Sequence, residues 1–223
     1  MYPFEEFPKI PRLKREVVIT EKVDGTNAQI AWVELTDINM LGEAQLDPFC
    51  LAIKNGLQNG DNALALYAGS RTRWLTPMGD NFGFCKWVIE HADELQALGP
   101  GRHFGEWYGL DIQRNYGLPM KRFALFNVAR WQTRRQDVNS REALPDTELP
   151  EGNYAPACCD VVPLLQRGEN IDPDQAMEAL SISGSRMVPG FMKPEGIVVW
   201  HSSARQLYKM TFKEDGGKWK SAP

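Results

Sequence analysis

Nine short runs of β-branched, aromatic and aliphatic residues recur along the chain, most of them punctuated by Gly, Pro, Asn or Asp. They cover residues 16–20, 28–35, 49–55, 64–70, 103–109, 122–131, 158–165, 196–200 and 206–212. Runs of this length, punctuated in this way, are strand signals. Only two stretches carry helical spacing. Residues 80–99 place Phe84, Val88, His91, Leu95 and Leu98 on one face, with Asp80 or Asn81 to cap the start and Gly99 to end it. Residues 172–184 offer Asp172 as N-cap, Pro173 in the first turn and Gly184 at the stop. Many strands, few helices and no regular strand–helix alternation indicate antiparallel pairing. The expectation is an α+β fold of antiparallel β-sheets with flanking helices.

With 223 residues, 43% of them hydrophobic, the chain can bury a substantial core, and a single domain over 1–223 is expected. Residues 136–157 are polar and Pro-rich and read as an extended surface connection within it. No apolar run approaches the roughly 18 residues of a membrane span, and the N-terminus lacks the apolar stretch of a secretory signal. A cytoplasmic protein with no membrane partner is expected. Cysteine usage agrees: Cys50 and Cys85 stand alone, Cys158 and Cys159 are adjacent, and no C-x-x-C pair occurs. With His91, His103 and His201 far apart as well, a zinc site is not expected. The net charge of −4 argues against a generic nucleic-acid coat, although basic clusters lie at 9–15, 71–73, 130–135 and 213–220.

One lysine stands out by position. Lys22, in the stretch EKVDGTN, closes a strand-like run immediately before an Asp-Gly turn. A turn there can aim an amine into a cleft. A nucleophilic amine must be neutral when it attacks, and a free lysine titrates near about 10.4, so its site must favour the uncharged form. The pattern K-x-D-G is short and common by chance, and alone it reads as a solvated charge at a strand end.

The rest of the chain changes its weight. EKVDGTN (21–27), GSRTRW (69–74), HFGEWYG (103–109), RFALFNV (122–128), PEGIVVW (194–200) and LYKMTFK (207–213) occur in that order and span nearly the whole sequence. Together they resemble the ordered motifs of the covalent nucleotidyltransferases, the superfamily of polynucleotide ligases and messenger-RNA capping enzymes. The shapes of the first, third and fifth stretches are most similar to the RNA ligase 2-like family.

That resemblance implies an ATP-grasp-like nucleotidyltransferase domain that uses ATP with Mg2+ or Mn2+. Lys22 is implied as the residue that takes AMP, with Lys209 and Glu195 as its catalytic companions and Glu195 also placing the metal. Glu21 and Val23 would line the adenine pocket, and Asn27 would lie near the metal and pyrophosphate. Arg71 would hold ribose, phosphate or the RNA terminus, with Arg73 as its rival. Glu106 would accept from the ribose hydroxyl. Phe126 would stack on adenine, with Phe123 as its rival. Ligases of this superfamily commonly place a second lysine two residues after the one at 209, where this chain has Thr211; Lys213 is the substitute. Trp107, Tyr108 and Trp200 read as packing residues.

The partners implied are RNA ends or a nicked duplex. Ten residues follow Lys213 in the sequence, and neither the OB-fold nor the helical domain that related enzymes carry there is expected. A partner protein supplying such a domain is one expectation, and a phage-encoded enzyme acting in its host's cytoplasm is another. Two other functions fit the same residues: a minimal ATP-dependent DNA ligase, and a catalytically silent protein that binds nucleotides or RNA ends. A guanylyltransferase of the capping type fits less well, for want of its auxiliary domain.

Overall fold

The computed structural model describes residues 2–55, 62–134 and 149–212, and in it ten strands form two sheets, with helices on their flanks. The fold is α+β. The described residues of Met1–Lys22, Pro163–Arg186 and Met192–Pro223 cluster as one unit. Those of Val23–Val162 and Met187–Phe191 cluster as a second.

The first unit holds a four-stranded antiparallel sheet in the order β10-β9-β1-β8. Its strands are β1 (Val17–Lys22), β8 (Leu164–Gly168), β9 (Gly196–His201) and β10 (Gln206–Thr211). Side chains alternate across a strand, and β1 shows it: Ile19 and Glu21 are buried, while Val18, Thr20 and Lys22 are half-exposed. One face, with Ile19, Ile197 and Val199, packs against Ala176 and Leu180 of helix α4 (Pro173–Ser183). Asp172 caps that helix by accepting from the Asp174 N–H, and Gly184 ends it, as the sequence implies. Burying each large aliphatic side chain here contributes about 1.5–3 kcal/mol. The opposite face of the sheet carries Lys22.

The second unit holds a six-stranded sheet in the order β3-β4-β2-β5-β6-β7. These are β2 (Thr26–Leu35), β3 (Ala52–Lys54), β4 (Ala63–Ser70), β5 (Gly101–Gly109), β6 (Lys121–Leu125) and β7 (Cys159–Val161). Ala28, Ile30, Trp32, Leu66, Trp107 and Phe123 share one face and pack against Phe84, Val88, Leu95 and Leu98. Those last four residues come from α2 (Phe84–Glu90), α3 (Ala92–Leu95) and a 3-10 turn (Gln96–Leu98). Part of the other face is covered by α1 (Ile38–Leu46).

The structure departs from the sequence expectation in five places. β6 and β7 pair in parallel, so the second sheet is not wholly antiparallel. The run at 158–165 is two strands, because Val162 and Pro163 carry the chain from one sheet to the other. The run at 122–131 is strand only as far as Leu125. The helix expected over 80–99 breaks at His91 into α2 and α3. Its N-cap residue is Gly83, although Asp80 still accepts from the N–H groups of Cys85 and Lys86. Finally, α1 has only a weak helical signal in its sequence: Gly42 interrupts it and only Ala44 is buried, yet Asp37 caps it through Asn39 and Met40. Of the connection expected at 136–157, residues 136–148 lie outside the described residues.

All four cysteines are free. Burial pushes the Cys85 thiol up to about 11, helped by the Asp80 carboxylate, and burial also holds Cys159 well above the ordinary thiol range. Three pH units below its pKa, a thiol is roughly 0.1% thiolate, the reactive form. Iodoacetamide at pH 8 is therefore expected to label Cys158 in the native protein and to spare Cys85 and Cys159 until denaturant is added. Peptide mass spectrometry reads this directly, and rapid native labelling of Cys85 would contradict it.

Candidate active site

Lys22 is the last residue of β1, on the face opposite α4. Its Nζ donates to Glu195 Oε2 at 2.6 Å, and the two side chains are 24% and 13% exposed. The pair is thus half-buried yet reachable. Glu195 immediately precedes β9, and its carbonyl accepts from the Phe212 N–H, so the backbone that presents its carboxylate is anchored on both sides.

Gly196 explains the glycine of the PEGIVVW stretch. A Cβ there would lie 2.0 Å from Met210 O and 2.8 Å from the Thr211 Cα, both backbone atoms, and its φ is +150°. Gly196→Ala must push β10 away from β9. The expected cost is about 3 kcal/mol, seen as a fall of roughly 6–12 °C in Tm; an unchanged melting temperature would show that the strand pair yields without strain.

Register places Lys209 in the same frame. Lys209 pairs with Val198, and Val198 with Thr20; Thr211 pairs with Gly196, and Gly196 with Lys22. Lys22, Lys209 and Thr211 therefore share one sheet face, Thr211 in line with Lys22 and Lys209 one step farther along. Strands two apart lie about 10 Å from each other, a span that two lysine side chains can close on a single anion. Lys213 lies outside the described residues.

Glu21 points to the other face. It is 1% exposed, and its carboxylate accepts from Ser185 Oγ at 2.5 Å and the Arg186 N–H at 2.6 Å. Its side chain organises the turn after α4. A buried carboxylate needs such donors, and nothing in the sequence pairs Glu21 with residues more than 160 positions away.

In the second unit, Val23 is 3% exposed and packs with Tyr108, Tyr116 and Val162. The following turn is equally constrained. The Asp24 N–H donates to Tyr116 Oη and its carboxylate pairs with Arg114 Nε at 2.9 Å, neither partner being legible in the sequence. Gly25 has no room for a Cβ, which would sit 2.4 Å from Trp107 O. The Val-Asp-Gly that follows Lys22 thus has structural reasons of its own.

Asn27 and Glu106 face each other across β2 and β5, on the sheet face opposite the α2–α3 core. Phe126, just past β6, donates its N–H to Phe104 O and is 37% exposed, whereas Phe123 is fully buried in the core. Phe104, 46% exposed opposite Phe126, is a second available aromatic that sequence reasoning missed; its alternation with buried His103 and Gly105 was the signal. Arg73 is committed to its own loop, donating to the carbonyls of Gly79 and Asp80, while Arg71 is exposed. Trp107 and Tyr108 pack as expected, at 2% and 1% exposure. Trp200 does not: it is 36% exposed.

Within the first unit, then, a lysine and a carboxylate meet at a strand end with a second lysine on the same face. A model of the RNA ligase family matches residues 15–219. The chain belongs to the RNA ligase family. No curated protein matches it closely. Among solved structures it is similar to a Naegleria gruberi RNA ligase variant with ATP and Mn, at 15% identity and a TM-score of 0.48, over 89% of this chain and 49% of that one. It is also similar to a variant of the same ligase with AMP and Mn, at 14% identity and a TM-score of 0.46, over 89% of this chain and 50% of that one. The chain spans about half the length of these structures. No described helix is long and apolar enough to cross a membrane.

Proposed function

We propose that this protein is an ATP-dependent RNA ligase that works through a lysine-AMP intermediate at Lys22. The observation that carries the reading is the Lys22–Glu195 pair at the end of β1, in a chain of the RNA ligase family. Lys22 Nζ attacks the α-phosphorus of ATP; a P–N bond forms, the bond to pyrophosphate breaks, and the amine loses a proton. A 5′-phosphate oxygen of RNA then attacks that phosphorus, releasing Lys22. Attack by a 3′-hydroxyl on the activated 5′-phosphate joins the ends and expels AMP.

Lys209 sits against the α-phosphate, where charge develops in transfer. Glu106 accepts from the ribose, Phe126 stacks on adenine, and Asn27 lies toward pyrophosphate. Arg71 holds phosphate or the RNA terminus, and Lys213 adds a cation. Glu21 and Val23 support the nucleotide pocket through the backbone beside Lys22. The two units are read as one adenylation domain.

Among the described residues no group of three or more His, Cys, Asp or Glu could hold a metal. Magnesium, however, favours one or two carboxylates together with substrate phosphates and water, and the half-buried Glu195 carboxylate beside Lys22 fits that pattern. A bound Mg2+ or Mn2+ would neutralise phosphate charge there. Four free thiols suit a reducing cytoplasm.

The test is a panel of nicked duplexes with RNA or DNA on each side of the nick, supplied with ATP or GTP and Mg2+. Joining of RNA strands with ATP is expected. Joining of DNA strands alone would favour a minimal DNA ligase, and use of GTP a capping-type enzyme.

A further inference from the structure

We propose that the Lys22 face of the four-stranded sheet is also a stacking platform for unpaired RNA, centred on Trp200. The proposal rests on the ligase reading and names where the polynucleotide leaves the reacting end. Three rows of side chains follow from the register. Lys22, Gly196 and Thr211 form the first; Leu164, Thr20, Val198 and Lys209 the second; Arg167, Val18, Trp200 and Leu207 the third. The third row lies four residues from the first along β9, about 13 Å, within a few nucleotides of Lys22.

This row is exposed where a sheet face normally hides its large apolar groups. Trp200 is 36% exposed and Leu207 62%. Core packing does not account for them, because the core of this sheet lies on the other face, under α4. Three cations share the Trp200 face: Lys209, Lys22, which is held by Glu195 at 2.6 Å, and Arg167, in an exposed 3.4 Å pair with Glu16. Exposed pairs of that kind are weak and yield readily to a phosphate. An aromatic ring flanked by cations on an open sheet is the arrangement that binds single strands: bases stack on the ring and phosphates meet the charges. A protein partner would gain little from that charge, and duplex RNA keeps its base faces hidden. Unpaired RNA therefore fits this surface.

Tyr208 supplies an internal control. It is an aromatic on the same face-alternating hairpin, 50% exposed, but alternation puts it on the α4 side with Met210. Fluorescence anisotropy with a labelled single-stranded RNA of about 12 nucleotides, the length of one such binding groove, should show Trp200→Ala binding at least about fivefold more weakly, since losing a stacked base costs roughly fivefold to hundredfold. Trp200→Phe should stay within about twofold of wild type, and so should Tyr208→Ala. Thermal melting shows whether each variant folds; should Trp200→Ala not fold, Trp200→Leu, which keeps bulk without a π face, must show the same loss. Equal binding by wild type and the folded variant overturns the platform, as does an equal loss in Tyr208→Ala. Mass spectrometry of the wild-type protein with ATP separates the two readings. Lysine-AMP formation without a Trp200 effect leaves the ligase reading standing alone. A Trp200 effect without lysine-AMP leaves an RNA-binding platform on a protein that is not a ligase.

Discussion

Incubated with ATP and Mg2+, the protein is expected to gain one AMP, about 329 Da, in its intact mass, and Lys22→Ala to gain nothing. The expected loss is complete rather than graded, because alanine offers no nucleophile and among the described residues the other lysine on this sheet face, Lys209, starts one register step away on a different strand. Lys22 and Glu195 are 24% and 13% exposed, so water reaches the pair and breaking it costs less than the roughly 3–5 kcal/mol of a fully buried one. A cooperative thermal melt of the variant shows that the loss is chemical rather than a failure to fold. Lys22→Arg should fail as well: it keeps the charge but has no amine that can become neutral near neutral pH. An AMP adduct on Lys22→Ala would place the nucleophile elsewhere and remove the central residue of the proposed mechanism.

The strands are legible in the sequence because their alternation is local. VVITEK by itself indicates which side chains face inward, and the Lys22 row follows from it. The caps of α4 are legible for the same reason, Asp172 and Gly184 being read by their immediate neighbours. What escapes depends on distant partners. Glu21 carries no mark that Ser185 and Arg186 will satisfy it, and Asp24 none that Arg114 and Tyr116 will. Trp200 reads as packing because an aromatic in an apolar run is usually core, and only the three-strand register shows that its face is the one α4 leaves open. The parallel β6–β7 pair escapes because β7 is only three residues long and buried throughout, so its sequence gives no direction of pairing. His91 fits a continuous helical face by spacing, whereas its ring stacks on Trp87 just where the helix breaks.

Glu195→Ala should lower the rate of lysine-AMP formation by about 10- to 100-fold without abolishing it. The lysine side chain is long and flexible, and Glu195 Oε2 at 2.6 Å holds its tip. Removing the carboxylate frees the amine to leave the line of attack on an α-phosphorus, and a misplacement of about 1 Å can cost around a hundredfold. It also removes the one carboxylate described as pairing with Lys22, through which a divalent ion could bind the site. The two effects separate by metal titration. If Glu195 only positions Lys22, Glu195→Gln, whose amide oxygen can still accept from Nζ, should recover most of the rate at the wild-type metal concentration. If it also binds metal, Glu195→Gln should need several-fold more Mg2+ to reach half-maximal rate, because an uncharged amide is a poorer ligand for a hard cation. Neither substitution should move Gly196, whose constraint lies in the backbone of Met210 and Thr211, so Tm should stay near wild type and the rate loss should be readable as chemistry. A Glu195→Ala variant that adenylylates at the wild-type rate would reduce Glu195 to an ordinary turn residue. Lys209 would then be left as the charged neighbour on the same sheet face through which Lys22 could be directed at the phosphate.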